Sequence, residues 1–273
     1  MDRYRDANRE LWNLWTGLHE TSPQYDLRGF REGKCALKPI ELVELGDVRG
    51  RSLLHLQCHF GLDTLSWARR GAAVTGVDFS DASVRLARSI AEETAIRAEF
   101  LCCDLYDLPR CLDRSFDIVF TSYGVLAWLP DLDGWARVVE RFLNPGGIFY
   151  IVEIHPFSYV FDNGPGATDL RVTVPYFRSG DPLRFEEQGS YAAPDAPVRS
   201  ISYEWPYPLG NVLTALIGAG LRIEYVREYP YTVYPALPFL RRGDDGLWRF
   251  PDGMIPIPLL FSLKARKEPP RQG

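Results

Sequence analysis

Between about residues 52 and 153 the chain alternates short apolar, β-branched runs with stretches whose apolar residues recur at helical spacing. That rhythm is satisfied by a mostly parallel sheet with crossover helices packed on its faces. Strands are expected at 52–56, 73–78, 98–102, 116–122 and 147–153, and helices at 63–70, 81–94 and 132–143. Ser80 stands where the second of these helices needs an N-cap. Asn144-Pro145-Gly146-Gly147 stops the third helix and turns the chain into the fifth strand.

After Glu153 the rhythm breaks. Residues 155–208 are rich in proline, glycine and aromatics, with strand-like pieces at 170–177 and 200–205, and read as an inserted cap or small antiparallel sheet. A helix at 209–218, closed by Gly218 and Gly220, a strand at 221–228, a loop at 229–256 and a final strand at 257–266 follow. The tail from Lys267 is expected to be disordered. Residues 1–45 form a helical lead-in carrying Trp12, Trp15, Tyr25 and Phe30.

A chain of 273 residues fits one elaborated domain. With 46% hydrophobic and 25% charged residues, and no apolar run near the roughly 20 residues of a membrane span, a membrane role is not expected. The first dozen residues lack the apolar stretch of a secretory signal, so the protein reads as cytoplasmic. Five cysteines without a C-x-x-C pair read as reduced, mostly buried thiols with no metal role. The net charge of −5, with scattered basic residues, argues against nucleic acid and for a small-molecule substrate handled by a monomer or homodimer.

In an open α/β sheet a nucleotide-type ligand sits where the first strand turns into the first helix. Here that turn is His55-Leu56-Gln57-Cys58-His59-Phe60-Gly61, which keeps only Gly61 of a dinucleotide loop's glycines and so disfavours a pyrophosphate. Asp78 ends the second strand, where a carboxylate can take both hydroxyls of a ribose or simply cap the next helix. Phe79 and Ser80 follow it. Cys103, Asp104 and Leu105 follow the third strand. Asp104 can meet an adenine amino group while Leu105 packs on the ring, or Asp104 can be an ordinary turn residue. Ser122 and Tyr123 end the fourth strand.

In the order of these segments, residues 53–153 resemble the class I S-adenosylmethionine-dependent methyltransferases. The resemblance implies a Rossmann-like, seven-stranded, mostly parallel α/β sheet with helices on both faces, preceded by a helical lead-in and interrupted by a cap after the fifth strand. The division it suggests is a lid at 1–45, the core domain at 46–156 and 209–268, and a substrate cap at 157–208. His55 replaces the family's usual acid, and Gln57 and His59 replace its usual glycines. The loop Gln57–Gly61, the pair Tyr25-Asp26 and the run Glu153-Ile154-His155-Pro156 resemble a bacterial natural-product subgroup. That likeness implies that Tyr25 closes over the methionine end of S-adenosylmethionine. Gln57, Cys58, His59, Gly61, Asp78, Phe79, Ser80, Cys103, Asp104, Leu105 and Ser122 complete the expected cofactor site, with Ser122 and Tyr123 facing the methyl group.

The implied reaction is methyl transfer to oxygen, nitrogen or carbon of a small aromatic or hydrophobic metabolite, an indole carbon being one possibility. His155 and Glu153 share a strand face, so His155 is the expected base and Glu153 its partner; alternatively both are structural. Tyr123 is a further catalytic candidate. His19, Trp128, Tyr191, Trp205, Tyr229 and Tyr231 are expected to wall the acceptor. Two other readings stay open: a non-catalytic S-adenosylmethionine-binding or regulatory protein, and an NAD-type oxidoreductase, which the missing glycines disfavour.

Overall fold

The computed structural model describes residues 2–177 and 180–269. The lead-in is helical as expected, in three pieces: α1 (Asp2–Glu20), α2 (Leu27–Arg31) and α3 (Pro39–Leu45). The alternating core follows as β1 (Ser52–Leu56), α4 (Leu62–Arg69), β2 (Ala73–Asp78), α5 (Asp81–Glu93) and β3 (Glu99–Cys102). It continues through α6 (Leu108–Cys111), β4 (Phe116–Ser122), α7 (Leu132–Arg141) and β5 (Leu143–Ile154). A hairpin of β6 (Leu183–Gln188) and β7 (Arg199–Glu204), helix α8 (Leu209–Gly218) and β8 (Leu221–Tyr229) come next. Three two-residue strands, β9 (Tyr231–Thr232), β10 (Arg241–Arg242) and β11 (Trp248–Arg249), precede β12 (Leu260–Lys267).

The main sheet has seven strands in the order β3-β2-β1-β4-β5-β12-β8. Only β12 runs against its neighbours, pairing antiparallel with both β5 and β8. Succession leaves β1 toward β2 on one side and returns to β4 on the other, so the carboxyl ends of β1 and β4 flank the switch point where such sheets bind ligands. Both faces are covered. Leu54, Val119, Phe149 and Ile151 pack against Trp135 and Val139 of α7 and Leu216 of α8, while Leu53, Ile118, Phe120 and Val152 meet Trp67 of α4 and Ile40 of α3. Trp67 and Trp135 are fully buried, and truncating either to alanine would cost about 3–5 kcal/mol.

Several boundaries differ from expectation. β5 starts at Leu143, because Leu143 pairs with Phe116 and the ladder shifts register before Ile118; Asn144–Gly147 is therefore an irregularity inside the strand rather than a loop before it. The stretch 170–177 makes only an isolated bridge, Phe161 with Val172, and the partner of β7 is instead β6. The loop 229–256 holds a three-stranded antiparallel sheet whose strands are too short to show any period. β12 begins at Leu260, after Pro256 and Pro258 have removed two ladder donors. Cys35, Cys102 and Cys111 are exposed, which corrects the expectation of mostly buried thiols. Of the tail expected to be disordered, Lys267 lies in β12 and residues 270–273 lie outside the described residues. Among the described residues no helix is long and apolar enough to cross a membrane, and no group of three His, Cys, Asp or Glu side chains could hold a metal.

α1 is fastened at several points. Asn8 is buried, donates to the Tyr203 carbonyl at 2.7 Å and accepts the Tyr203 amide at 2.9 Å, satisfying the free edge of β7 as another strand would. Asn13 donates to Asp81 and accepts from the Ser80 hydroxyl and the Ala82 amide at the start of α5. Trp15 donates its indole N–H to the Gly189 carbonyl at 2.9 Å. Helix, hairpin and core domain thus meet above the switch point.

Candidate functional site

The turn after β1 has an unusual backbone. Gln57 and His59 are left-handed, at φ 56° and 51°, as is Gly61 at 76°. Gly61 is required: a Cβ there would lie 2.6 Å from the Phe100 ring. For the other two, a left-handed side-chain residue costs about 1–2 kcal/mol, so contacts must hold them. Gln57 Nε2 donates to the Val125 carbonyl at 3.0 Å, and the His59 amide donates to Asp78 Oδ2 at 2.8 Å. The His59 ring lies between Ser83 Oγ at 2.9 Å and His19 Nδ1 at 2.9 Å. Cys58 turns its buried thiol into the core, so only its backbone faces the turn.

Asp78 ends β2 and accepts one close amide on each oxygen, from His59 and from Ser80 at 2.9 Å. Burial nonetheless raises its pKa to about 6, against the pull of those bonds. With the Phe79 amide also directed at it, the carboxylate still has accepting capacity left for a ligand hydroxyl. Nearby, Gln57 Oε1 is buried without a partner, the kind of orphan acceptor a ligand donor completes. Residues of this kind fit S-adenosylmethionine, which offers a ribose diol and an α-ammonium and carries no phosphate.

Ser80 is the N-cap of α5, as expected, accepting the Ser83 amide at 3.1 Å and donating to Asn13. Phe79 is half-buried beside it. Asp104 caps its own turn by accepting the Tyr106 amide at 2.9 Å, and its other oxygen lies 3.3 Å from the Arg5 guanidinium of α1. Leu105 is buried in the core on the α7 side. The Cys103 thiol sits 2.9 Å from that of Cys111, and burial raises its pKa.

At the end of β4, Ser122 donates to Asp63 Oδ2 at 3.1 Å and Tyr123 donates to Glu41 Oε2 at 2.7 Å. Tyr123 is a third left-handed side-chain residue, at φ 43°. Burial and then the charge of Asp63 raise Glu41 to about 7; burial also raises Asp63. Two desolvated carboxyls beside the turn favour a cationic ligand. Neither was anticipated from the sequence. Asp63 carried a weak signal, an acid in the first turn of α4 two residues after Gly61, whereas Glu41 comes from the lead-in and had none. Tyr25 does reach the turn, its ring 4.8 Å from Phe60 and 5.5 Å from His59, with its hydroxyl bonded to that of Tyr191.

The expected acid–base pair on β5 is engaged elsewhere. Glu153 Oε1 accepts the amides of Gly124 and Ile154, and Oε2 those of Val125 at 2.7 Å and Leu126 at 3.1 Å. It staples the 3-10 turn Leu126–Trp128 to the sheet and has no oxygen free to orient a histidine. His155 accepts the Phe157 amide on Nδ1 at 3.1 Å, which leaves the proton on Nε2, 2.8 Å from Glu228 of β8. Burial lowers its pKa and Glu228 opposes the shift. Nδ1 thus serves the fold and the protonated Nε2 faces Glu228 without a well-directed hydrogen bond, which corrects the expectation that His155 has a nitrogen free to act as base.

The six expected acceptor-wall residues divide. Trp128, His19 and Tyr191 come together with Trp12 and Trp15: Trp12 lies 5.2 Å from both Trp128 and His59, and His19 lies 4.8 Å from Tyr191. Trp205 stands farther along α1, its ring 6.0 Å from Tyr4. Tyr229 and Tyr231 do not join them. The Tyr229 hydroxyl donates to Glu44 of α3 at 2.5 Å, Glu44 also receives Tyr150 and Arg227, and the Tyr231 ring lies tilted beside Tyr229 at 5.3 Å. They fasten α3 to the sheet and are removed from the acceptor wall.

Comparison with known proteins agrees with the fold. Residues 54–151 match a family model described as a methyltransferase domain. A ubiquinone biosynthesis O-methyltransferase of Alkalilimnicola ehrlichii is 32% identical over 158 residues, covering 57% of this chain and 60% of the relative. The chain thus spans about 60% of the length of the curated relatives it matches. Among solved structures, a putative S-adenosylmethionine-dependent methyltransferase from Listeria monocytogenes aligns with a TM-score of 0.58 at 18% identity, over 84% of this chain and 96% of that one. The DhpI–SAH complex aligns with a TM-score of 0.59 at 15% identity, over 98% and 99% of the two chains.

Proposed function

We propose that this chain, whose residues 54–151 match a methyltransferase domain, is a class I S-adenosylmethionine-dependent methyltransferase that methylates a small aromatic or hydrophobic metabolite enclosed between α1 and the carboxyl ends of the strands. The observation that carries the proposal is the pairing, at the switch point, of the half-filled carboxylate of Asp78 with the orphan acceptor Gln57 Oε1. S-adenosylmethionine supplies a methyl group on a sulfonium, whose C–S bond electrons return to sulfur as the new bond forms. The protein's part is to place the acceptor in line and to exclude water. Asp78 takes the ribose hydroxyls. Gln57 Oε1 and the Asp63 carboxylate take the ammonium end. Tyr25 closes over them.

Trp12, Trp128 and Tyr191 supply flat apolar walls around His59, which suits an aromatic acceptor. The name of the similar O-methyltransferases favours oxygen as the methylated atom. A phenolic acceptor must lose its proton, and the Tyr123 hydroxyl on Glu41 is the candidate group at the methyl-facing end of β4. Residues 1–45 act as lid and 157–208 as substrate cap in this reading.

Calorimetry with S-adenosylhomocysteine should give micromolar affinity. Labelled S-adenosylmethionine should then transfer its methyl group to members of a panel of phenols and indoles. A folded sample that gives no heat with either ligand overturns the reading. Binding without transfer to any acceptor favours a purely regulatory S-adenosylmethionine-binding protein.

A further inference from the structure

A single chain of hydrogen bonds runs from the cap, through the lid helix, into the turn after β1 and on to α5. Ser190 Oγ lies 3.1 Å from His19 Nε2, His19 Nδ1 2.9 Å from His59 Nε2, His59 Nδ1 2.9 Å from Ser83 Oγ, and Ser83 Oγ 2.7 Å from Thr16 Oγ1. Thr16 donates its only hydroxyl proton to the Trp12 carbonyl at 2.7 Å. With both histidines neutral, as their burial favours, that end fixes every other proton. Ser83 must donate to Thr16, so it accepts from His59 Nδ1–H. His59 Nε2 is then bare and accepts from His19 Nδ1–H, and the bare Nε2 of His19 accepts from Ser190. Ser190 Oγ independently accepts the Ala193 amide at 3.1 Å, as a hydroxyl that has given its proton away should. Both histidines are neutral in this arrangement, in keeping with the burial that lowers their proton affinity.

The chain acts on a residue whose backbone needs support. His59 occupies a left-handed position that class I methyltransferases usually fill with glycine, and a side chain there is unfavourable unless something grips it. We propose that His19, backed by Ser190, is a positioning residue for the cofactor turn: by gripping the His59 ring it holds the turn in the binding conformation that glycine would reach unaided. Docking of α1 and of the 189–193 turn thereby becomes a condition for cofactor binding. The inference rests on the methyltransferase reading, because its readout is cofactor affinity.

The test is a double-mutant cycle read by calorimetry with S-adenosylhomocysteine on the full chain. His19→Ala should weaken binding about tenfold, and His19→Gln, which can still accept from Ser190 and donate to His59, should restore affinity to within about threefold of the parent. In a His59→Gly background, whatever affinity that variant itself retains, the turn needs no grip on a side chain, so adding His19→Ala should change affinity by less than about twofold. If His19→Ala proves unfolded, Ser190→Ala replaces it, with an expected loss of about threefold in the parent and none in His59→Gly. Equal losses in both backgrounds, or no loss in the parent, overturn the proposal. A parent protein that binds no S-adenosylhomocysteine overturns the methyltransferase reading instead.

Discussion

Asp78 at the end of β2 accepts one close amide on each oxygen, whereas Glu153 at the end of β5 accepts two on each. Both acids are buried, both follow an apolar strand and both stand near a histidine. The number of amides aimed at them separates their roles. Four donors saturate a carboxylate and make it a structural anchor, while two leave lone pairs that a ligand can use. The histidines divide the same way. His155 faces Phe157 and Glu228, whereas His59 is gripped by two other elements inside the turn after β1.

The sharpest way to break this contrast is to remove the saturated acid. Glu153→Ala strands four amides in a buried site and should lower the unfolding free energy by about 4 kcal/mol in urea titration, with the folded fraction still binding S-adenosylhomocysteine. Normal stability combined with lost turnover would return Glu153 to the chemistry. At the other strand end the balance should invert. Asp78→Asn should weaken S-adenosylhomocysteine about a hundredfold, some 2.7 kcal/mol, while unfolding shifts by less than about 1 kcal/mol. If calorimetry shows full affinity, the ribose role of Asp78 is wrong.

A smaller effect probes the histidines. Burial holds His19 near a pKa of about 3, so the fold keeps it neutral while the unfolded chain protonates it below roughly pH 6.5. Its contribution is full above that pH and is lost as pH falls. The carboxyls act in the opposite sense: Asp78, raised to about 6, and Glu41, raised to about 7, contribute stability at low pH that is lost as pH rises through those values. Comparison with a variant isolates the histidine. Between roughly pH 4.5 and 6 the parent should lose about 1.4 kcal/mol more per pH unit than His19→Gln. Parallel pH profiles would mean that His19 is charged in the folded protein, against the burial that lowers its pKa.

The sheet was legible because its signals are local. Periodicity placed β1, β2, β4 and α8 at their observed bounds, and the order of segments along the chain put Gly61 in the turn after β1 and Asp78 at the end of β2. Glu41 and Asp63 escaped because nothing nearby in sequence shows that they will be desolvated together. Tyr229 and Tyr231 were misplaced for the converse reason: an aromatic side chain looks the same whether it walls a pocket or satisfies a buried glutamate such as Glu44.

By itself, then, the sequence determined the alternating α/β architecture and the identity of the turn after β1, since strand and helix periods and the spacing of Asp78 are properties of neighbouring residues. Tertiary structure decided which polar groups in that turn are free. Whether Asp78 meets two amides or Glu153 meets four, and whether His59 is held in a backbone conformation it disfavours, depends on Val125, Ser83 and His19 arriving from elsewhere in the chain. Hydrogen-bond saturation and desolvation are set by what surrounds an atom in space, and in the turn after β1 those surroundings come from residues 19, 83 and 125.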